Sequence, residues 1–271
     1  MTFPVKELIR NRQSVRSFDG RALAVEDRRK MEEYLKNETN PFGIPVEFFL
    51  LNKDEHGLSS VVLTGEDLWM AAKVKKVPRH EIAWGYSFEK ACLYAQSLGI
   101  GTVMLAASLS RQAFQDAIRV QDDEIMPAAS PLGYPAEKRS VRESLMRKAL
   151  KADDRIPFVQ TFFLGSFRRP MDREEAGAFG EALELMRWAP SAGNAQPWRA
   201  VVDGDAVHFY EKHTMKENPL GDIQKCDVGN ALCHFDMVMQ ENGHEGIFEE
   251  KDPGLDLPEK TEYIISYRKV S

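Results

Sequence analysis

The chain repeats itself once, and that repetition constrains its fold more than any other feature. Gly85 and Gly99 bracket one helical pattern, Gly229 and Gly243 bracket another, and each pair is 14 residues apart. "IPVEFFLL" (44–51) and "QPWRAVVD" (196–203) read as strands that set Pro45 against Pro197. "LGYPAEK" (132–138) and "ISYRKV" (265–270) set Tyr134 against Tyr267. Helix, proline loop, strand, glycine-bounded helix and aromatic-turn strand thus recur in one order, as in a duplicated unit. At 271 residues the chain exceeds the ~250 at which single cores tend to divide. Two degenerate halves, 1–150 and 160–271, are expected to pack as one compact intramolecular pseudo-dimer joined by "KALKADDRIPFVQTFFLGSF" (148–167).

Periodicity supplies the remaining elements. "PVKELIRNR" (4–12) is a short helix leading into extended "QSVRSFDG" (13–20), and "AVEDRRKMEEYLKN" (24–37) is a helix stopped by "NPFGIP" (40–45). "GEDLWMAAKVKK" (65–76) is read as helical, "YSFEKACLYAQSLGI" (86–100) as the first central helix and "GTVMLA" (101–106) as a buried strand. "SRQAFQDAIRV" (110–120) suggests a helix capped by Ser110, and "IMPAASPLGYP" (125–135) a strand. In the second half, helices are expected over 172–190 and 227–243, a hairpin over 198–212 turning at Asp203-Gly204, and a strand over 262–269.

Two stretches carry chemistry. "RNRQSVRSF" (10–18) gathers Arg10, Arg12 and Arg16 around Ser14 where helix gives way to extended chain. Arginine forks with a hydroxyl suit a phosphate, although a solvated basic helix end would look the same. "WAPSAGNAQPW" (188–198) follows a helix with small residues that let backbone approach a flat ring, and with the amides of Asn194 and Gln196 in a loop fixed by Pro190 and Pro197. Trp198 reads as core packing. Cys92, Cys226 and Cys233 are odd in number and scattered, which fits reduced thiols, and neither they nor the six histidines show metal-ligand spacing. No metal site is expected.

Together these stretches bear a family signature. "RQSVRSF" followed by "APSAGNAQPWR" resembles the nitroreductase family of FMN-dependent oxidoreductases, with "LGIGTVMLAAS" (98–108) and "LGYPAEKRS" (132–140) as further landmarks. The resemblance implies an α+β fold of mainly antiparallel sheets flanked by helices. In ordinary members the two signature segments lie close in one chain and each flavin site borrows the second from a partner subunit. Here Arg12 and Pro190 are 178 residues apart, and each half lacks what the other keeps, which resembles the family's single-chain fused branch with one flavin site. By that resemblance Arg12, Gln13 and Ser14 hold the phosphate and ribityl end, and Arg16 lies beside the pyrimidine edge of the ring. Ala106 and Ala107 present backbone N–H groups, and Arg147, with Lys148 as its alternative, or Lys138 and Arg139 nearer the turn, supplies a further basic ligand. Pro190, Ser191, Ala192 and Asn194 come from across the pseudo-interface. The implied activity is NADH- or NADPH-driven reduction of nitroaromatic or quinone-like acceptors, by ping-pong hydride transfer through flavin N5. No protein acid or base is required, so no catalytic residue is assigned. A flavin-binding sensor or carrier without turnover is the alternative.

Charge and hydropathy limit the partners. With 36 basic and 42 acidic residues the net charge is −6, which argues against non-specific nucleic-acid binding. "MTFPVKELIRNRQ" lacks a signal-peptide core, and "LGIGTVMLAASL" (98–109) is far short of the ~20 residues of a membrane span. A cytoplasmic monomer with an internal pseudo-dimer is expected, open to further self-association, with a small-molecule acceptor as partner. Residues 53–84 and 244–261 are expected to shape the acceptor pocket.

Overall fold

The computed structural model describes residues 3–215 and 221–270. The first half supplies α1 (Val5–Asn11), α2 (Val25–Lys36), β1 (Val46–Asn52), α3 (Lys53–His56), β2 (Leu68–Lys75), α4 (His80–Ser97), α5 (Arg111–Ala117), β3 (Glu124–Ile125) and β4 (Ala129–Leu132). Then follow α6 (Val141–Ala149), α7 (Phe158–Thr161), β5 (Phe162–Leu164), α8 (Gly180–Met186), β6 (Trp198–Asp203), β7 (Ala206–Lys212), α9 (Ile223–Glu241), β8 (Gly246–Glu249) and β9 (Thr261–Lys269).

Helices α4 and α9 cross at the centre. Trp84, Phe88 and Leu93 on one, and Leu232, Phe235 and Val238 on the other, are fully buried, as in helices covered on all sides. The recurring glycines explain the crossing. A Cβ on Gly85 would stand 2.0 Å from the Cys226 carbonyl oxygen, and one on Gly229 would stand 2.3 Å from that of Ile82. Both glycines therefore lie inside their helices, which begin at His80 and Ile223, and do not bound them as the repeat suggested. Gly99 and Gly243 do end the helices, in the left-handed conformation with φ of 75° and 77°.

Each half wraps its own sheet about this pair. One runs β1-β2-β3 with β4 also on β2, all antiparallel; the other runs β5-β6-β7-β9-β8, antiparallel except for parallel β5–β6. The mixed helix-and-antiparallel-sheet fold is therefore present, in two repeats. β2 falls where a helix was expected. Its residues Leu68, Met70, Ala72 and Val74 enter one core while Trp69 and Ala71 enter another, so the strand is apolar on both faces and shows no alternation in sequence.

Other elements differ from expectation. Residues 101–106 form single bridges, Gly101 to Gly133, Thr102 to Ser14 and Leu105 to Ala129, rather than a strand. The helix expected over 172–190 is a 3-10 turn (Gly177–Phe179) followed by α8. The hairpin turns one residue later, at Gly204-Asp205, because Asp203 pairs with Ala206. The connector at 148–167 includes β5, which adds an edge strand to the second sheet. Helix α1 reaches across both halves: Val5, Leu8 and Ile9 pack in a core that holds Ile82 and Leu93 of α4 as well as Leu183, Met186 and Phe235, and Lys6 and Arg10 pair with Glu181. Among the described residues no helix is long and apolar enough to cross a membrane.

Candidate active site

A cavity of about 470 Å³ opens on the seam between the halves. Arg12, Ser14, Arg16 and the backbone run from Val103 to Ser108 form one wall, and Ala189 to Asn194 with Ile223 and Asp227 form the other. Met146, Leu150, Ala152 and Arg155 close it from the connector. Ser14 and Asn194, remote in sequence, therefore border one space.

The parity of the N-terminal segment decides which side chains reach it. Arg12 ends α1 with extended backbone, and the Val15 N–H then donates to the Thr102 carbonyl at 2.9 Å. Successive side chains of extended chain point to opposite faces. Arg12, Ser14 and Arg16 face the cavity, whereas Gln13, Val15 and Ser17 line a separate depression where Gln13 meets Arg139. Gln13 was expected at the same site and is turned away from it. Arg147 also stands outside the cavity lining and pairs with Asp153; its neighbour Met146 takes the wall. Lys138 is likewise not among the lining residues, and Arg139 belongs to the separate depression.

The arginines present form a cationic end. The Nε atoms of Arg12, Arg16 and Arg155 are buried and have no hydrogen-bond partner among the described residues. Burial, with help from Arg147 and Arg12 and against Glu143, pushes the Arg16 guanidinium below its ordinary pKa. Burial and then Arg12 do the same to Arg155. Glu89 gives Arg12 partial compensation at 3.5 Å, but its Oε1 is shared with His234 Nε2 at 2.9 Å. Buried charge left this short of partners is costly unless an anion completes it.

The second wall is a strained loop held from below. Gly193, Asn194 and Gln196 have φ of 60°, 57° and 49°. Left-handed backbone in non-glycine residues costs roughly 1–3 kcal/mol and persists only where the surroundings enforce it. Asp227 Oδ2 accepts from the Ala192 N–H at 3.0 Å, Ser191 Oγ from the Gln196 N–H at 3.0 Å, and the Asn230 amide donates to the Pro190 carbonyl at 3.1 Å. Asn194 Nδ2 donates to the carbonyls of Lys151 and Asp154, while Gln196 Oε1 accepts from the Ile156 N–H. Those amides clamp the connector that presents Arg155. Trp198 is fully buried in the core.

Two ionisable wall residues, Arg155 and Asp227, escaped the sequence reading. Arg155 sits in a stretch read as a linker, and its guanidinium lies over the Trp188 ring at 5.0 Å. Asp227 lies in an apolar helix pattern; burial pushes its carboxyl well above the ordinary range, and Glu211 and Asp222 add to this against the Ala192 N–H. Of the segments expected to shape the pocket, 53–84 contributes Val62, whereas 246–249 forms edge strand β8.

Residues 4–239 match the family model described as "Putative TM nitroreductase". The chain belongs to this nitroreductase family. The protein tm1586 of Thermotoga maritima, crystallised under the same description, is 20% identical, with a TM-score of 0.65 over 100% of this chain and 94% of that one, a likeness of fold. An oxidoreductase containing FMN covers 62% of this chain with 94% of its own, at 16% identity and a TM-score of 0.48. A nitroreductase with bound FMN from Bacteroides fragilis covers 52% with 92% of its own, at 16% identity and a TM-score of 0.42. No curated protein matches the chain.

Proposed function

We propose that the chain is an FMN-dependent, NADH- or NADPH-driven oxidoreductase that reduces nitroaromatic or quinone-like acceptors, with the two substrates using one apolar face in turn. The observation that carries this reading is a cationic end of a cavity built from both halves, where the buried Nε atoms of Arg12 and Arg155 have no hydrogen-bond partner among the described residues. Such an end suits a phosphate, because Arg–phosphate hydrogen bonds are strong and directional. The volume lies within the 300–1,000 Å³ typical of cofactor and ligand clefts. FMN fits that donor set.

Bound there, FMN would supply the two-electron redox chemistry, and the protein binding, orientation and electrostatics. Arg12, Ser14 and Arg155 would hold the phosphate and ribityl end, with Arg147 adding positive potential from outside. Arg16 would place a cation where negative charge accumulates on reduction, which favours electron uptake. The Ala106–Ala107 backbone and the loop from Pro190 to Ala192 would position the ring, and Asn194 would act through the connector. Val62, Met104, Met146, Leu150 and Ile223 would exclude water from the open face. The protein would work as a cytoplasmic monomer with one flavin per chain.

Titration of the purified protein with FMN, followed by anaerobic addition of NADH or NADPH, tests this reading. Saturable binding and bleaching of the flavin band are expected. Bound flavin that neither nicotinamide can reduce would leave a carrier or sensor, and protein that binds no FMN would overturn the proposal.

A further inference from the structure

A second cluster lies where β7 ends and α9 begins. Glu211 is near the end of β7, His213 follows two residues later, and Asp222 caps α9. One ligand atom from each lies within 4.8 Å of the others. Ligand atoms held ~2.1 Å from a tetrahedral ion stand ~3.4 Å apart, so side-chain rotations moving these atoms by about an ångström would close the set. Glu211 Oε1 stands 3.0 Å from His213 Nδ1 without hydrogen-bond geometry, and Asp222 Oδ2 stands 3.9 Å from that nitrogen.

The carboxylates are short of partners. The Glu211 side chain is wholly buried, and neither of its oxygens has a hydrogen-bond partner among the described residues. Asp222 Oδ2 is in the same position, while the other oxygen accepts from the Gln224 N–H at 2.9 Å. Glu211 is also paired directly with Glu262 across β7 and β9, and like charges so placed repel. Lys225 Nζ sits 2.9 Å from Glu262 and 3.9 Å from Asp222 Oδ2, so one ammonium and one imidazole face three carboxylates. Burial, then Asp222 and Glu262, push the Glu211 carboxyl up to about 8 against the pull of Lys225.

We propose that Glu211, His213 and Asp222 bind one divalent first-row metal ion of the zinc class. An imidazole with two carboxylates suits such an ion, and the lack of a thiolate disfavours soft monovalent copper. His213 Nε2 faces Glu262 Oε1 at 3.5 Å, so a carboxylate stands behind the ligating ring, the arrangement that fixes ring orientation at metal sites. The ion would fasten the end of β7 to the start of α9. Gln224 Oε1 already accepts from the N–H groups of Thr214 and Met215 there, at 2.8 and 2.7 Å. Ile223, next to Asp222, lines the cavity, so the site would brace that wall without joining the redox chemistry. It stands independently of the flavin reading.

Calorimetric titration of EDTA-treated full-length protein with zinc chloride at neutral pH tests the site, alongside melting curves. One equivalent is expected to bind and to raise the melting temperature. Glu211→Gln and His213→Ala should each weaken binding at least ~10-fold, the scale on which even outer-shell partners act. Glu211→Gln keeps the shape and cannot ionise beside Asp222 and Glu262, so its metal-free melting temperature should equal or exceed that of the parent. Absence of saturable binding, or unchanged binding in both variants, would overturn the site. Calcium or magnesium binding as tight as zinc would overturn the assigned metal class.

Discussion

The loops at 40–45 and 190–197 occupy equivalent places in the two halves yet do opposite things. Setting Pro45 against Pro197 puts Phe42 opposite Asn194. Asn194 holds left-handed backbone, lines the cavity and clamps the connector. Phe42 instead packs against Tyr86 and Phe248 at 5.7 and 5.3 Å, and the Asn40 amide turns inward to Ser87 and the Ile44 carbonyl. One copy of the loop keeps a space open while the other is built into an aromatic cluster. Packing thus fills, in one half, the place where the other half borders a cavity.

The glycines at the helix crossing offer the largest effect by which to break this comparison. Gly85→Ala and Gly229→Ala should each cost about 3 kcal/mol or more, at the upper end for overpacking, because the new methyl meets backbone. Gly99→Ala and Gly243→Ala meet nothing within 4 Å and should cost about 1–2 kcal/mol through left-handed strain alone. Urea unfolding ranks them, and equal losses within each half would show that the crossing is not tight.

Next in size, Arg12→Ala should weaken FMN binding by about 1.5–3 kcal/mol, the range for a hydrogen bond to a charged group. An unchanged dissociation constant would remove Arg12 from the site. Phe42→Ala should lose about 1–2 kcal/mol of stability, less than a fully buried phenylalanine would, since the ring is half-buried. FMN stoichiometry should stay at one; two flavins per chain, before or after that substitution, would end the asymmetry argued here.

The smallest effect concerns pH. The Asp227 carboxyl is raised in the fold, so the folded state binds its proton more tightly than the unfolded chain does. Its contribution is therefore fully present at acidic pH and is lost as pH rises from the ordinary carboxyl range through the raised value. Asp227→Asn, which still offers an oxygen to the Ala192 N–H, should be more stable than the parent in mildly alkaline solution and not in acid. Parallel stability curves for the two proteins would contradict this.

The repeat was legible because glycine, proline and aromatic positions mark backbone constraints that survive divergence. β2 was not, since apolar residues on both faces erase the alternation by which a strand is read. The bordering of one cavity by Arg12, Ser14 and Arg16 with the 190–194 loop followed from motifs, but Gln13 shows that a motif gives neighbours without giving parity. Arg155 could not be found, because nothing local says that Asn194 and Gln196 will hold its segment against the cavity. Glu211, His213 and Asp222 share no motif either; a sheet pairing and a helix cap bring them together.

Helix α1 finds its footing in both halves, on α4 as well as on α8 and α9, and Gln96 of α4 donates to the Leu8 carbonyl at 3.0 Å. Arg12 and Ser14, carried at its end and held by Glu89 and Thr102, thus belong to a segment that both halves share. Parting the halves would therefore strip α1 of its cover on one side and loosen the cationic wall without dismantling the sheet behind it.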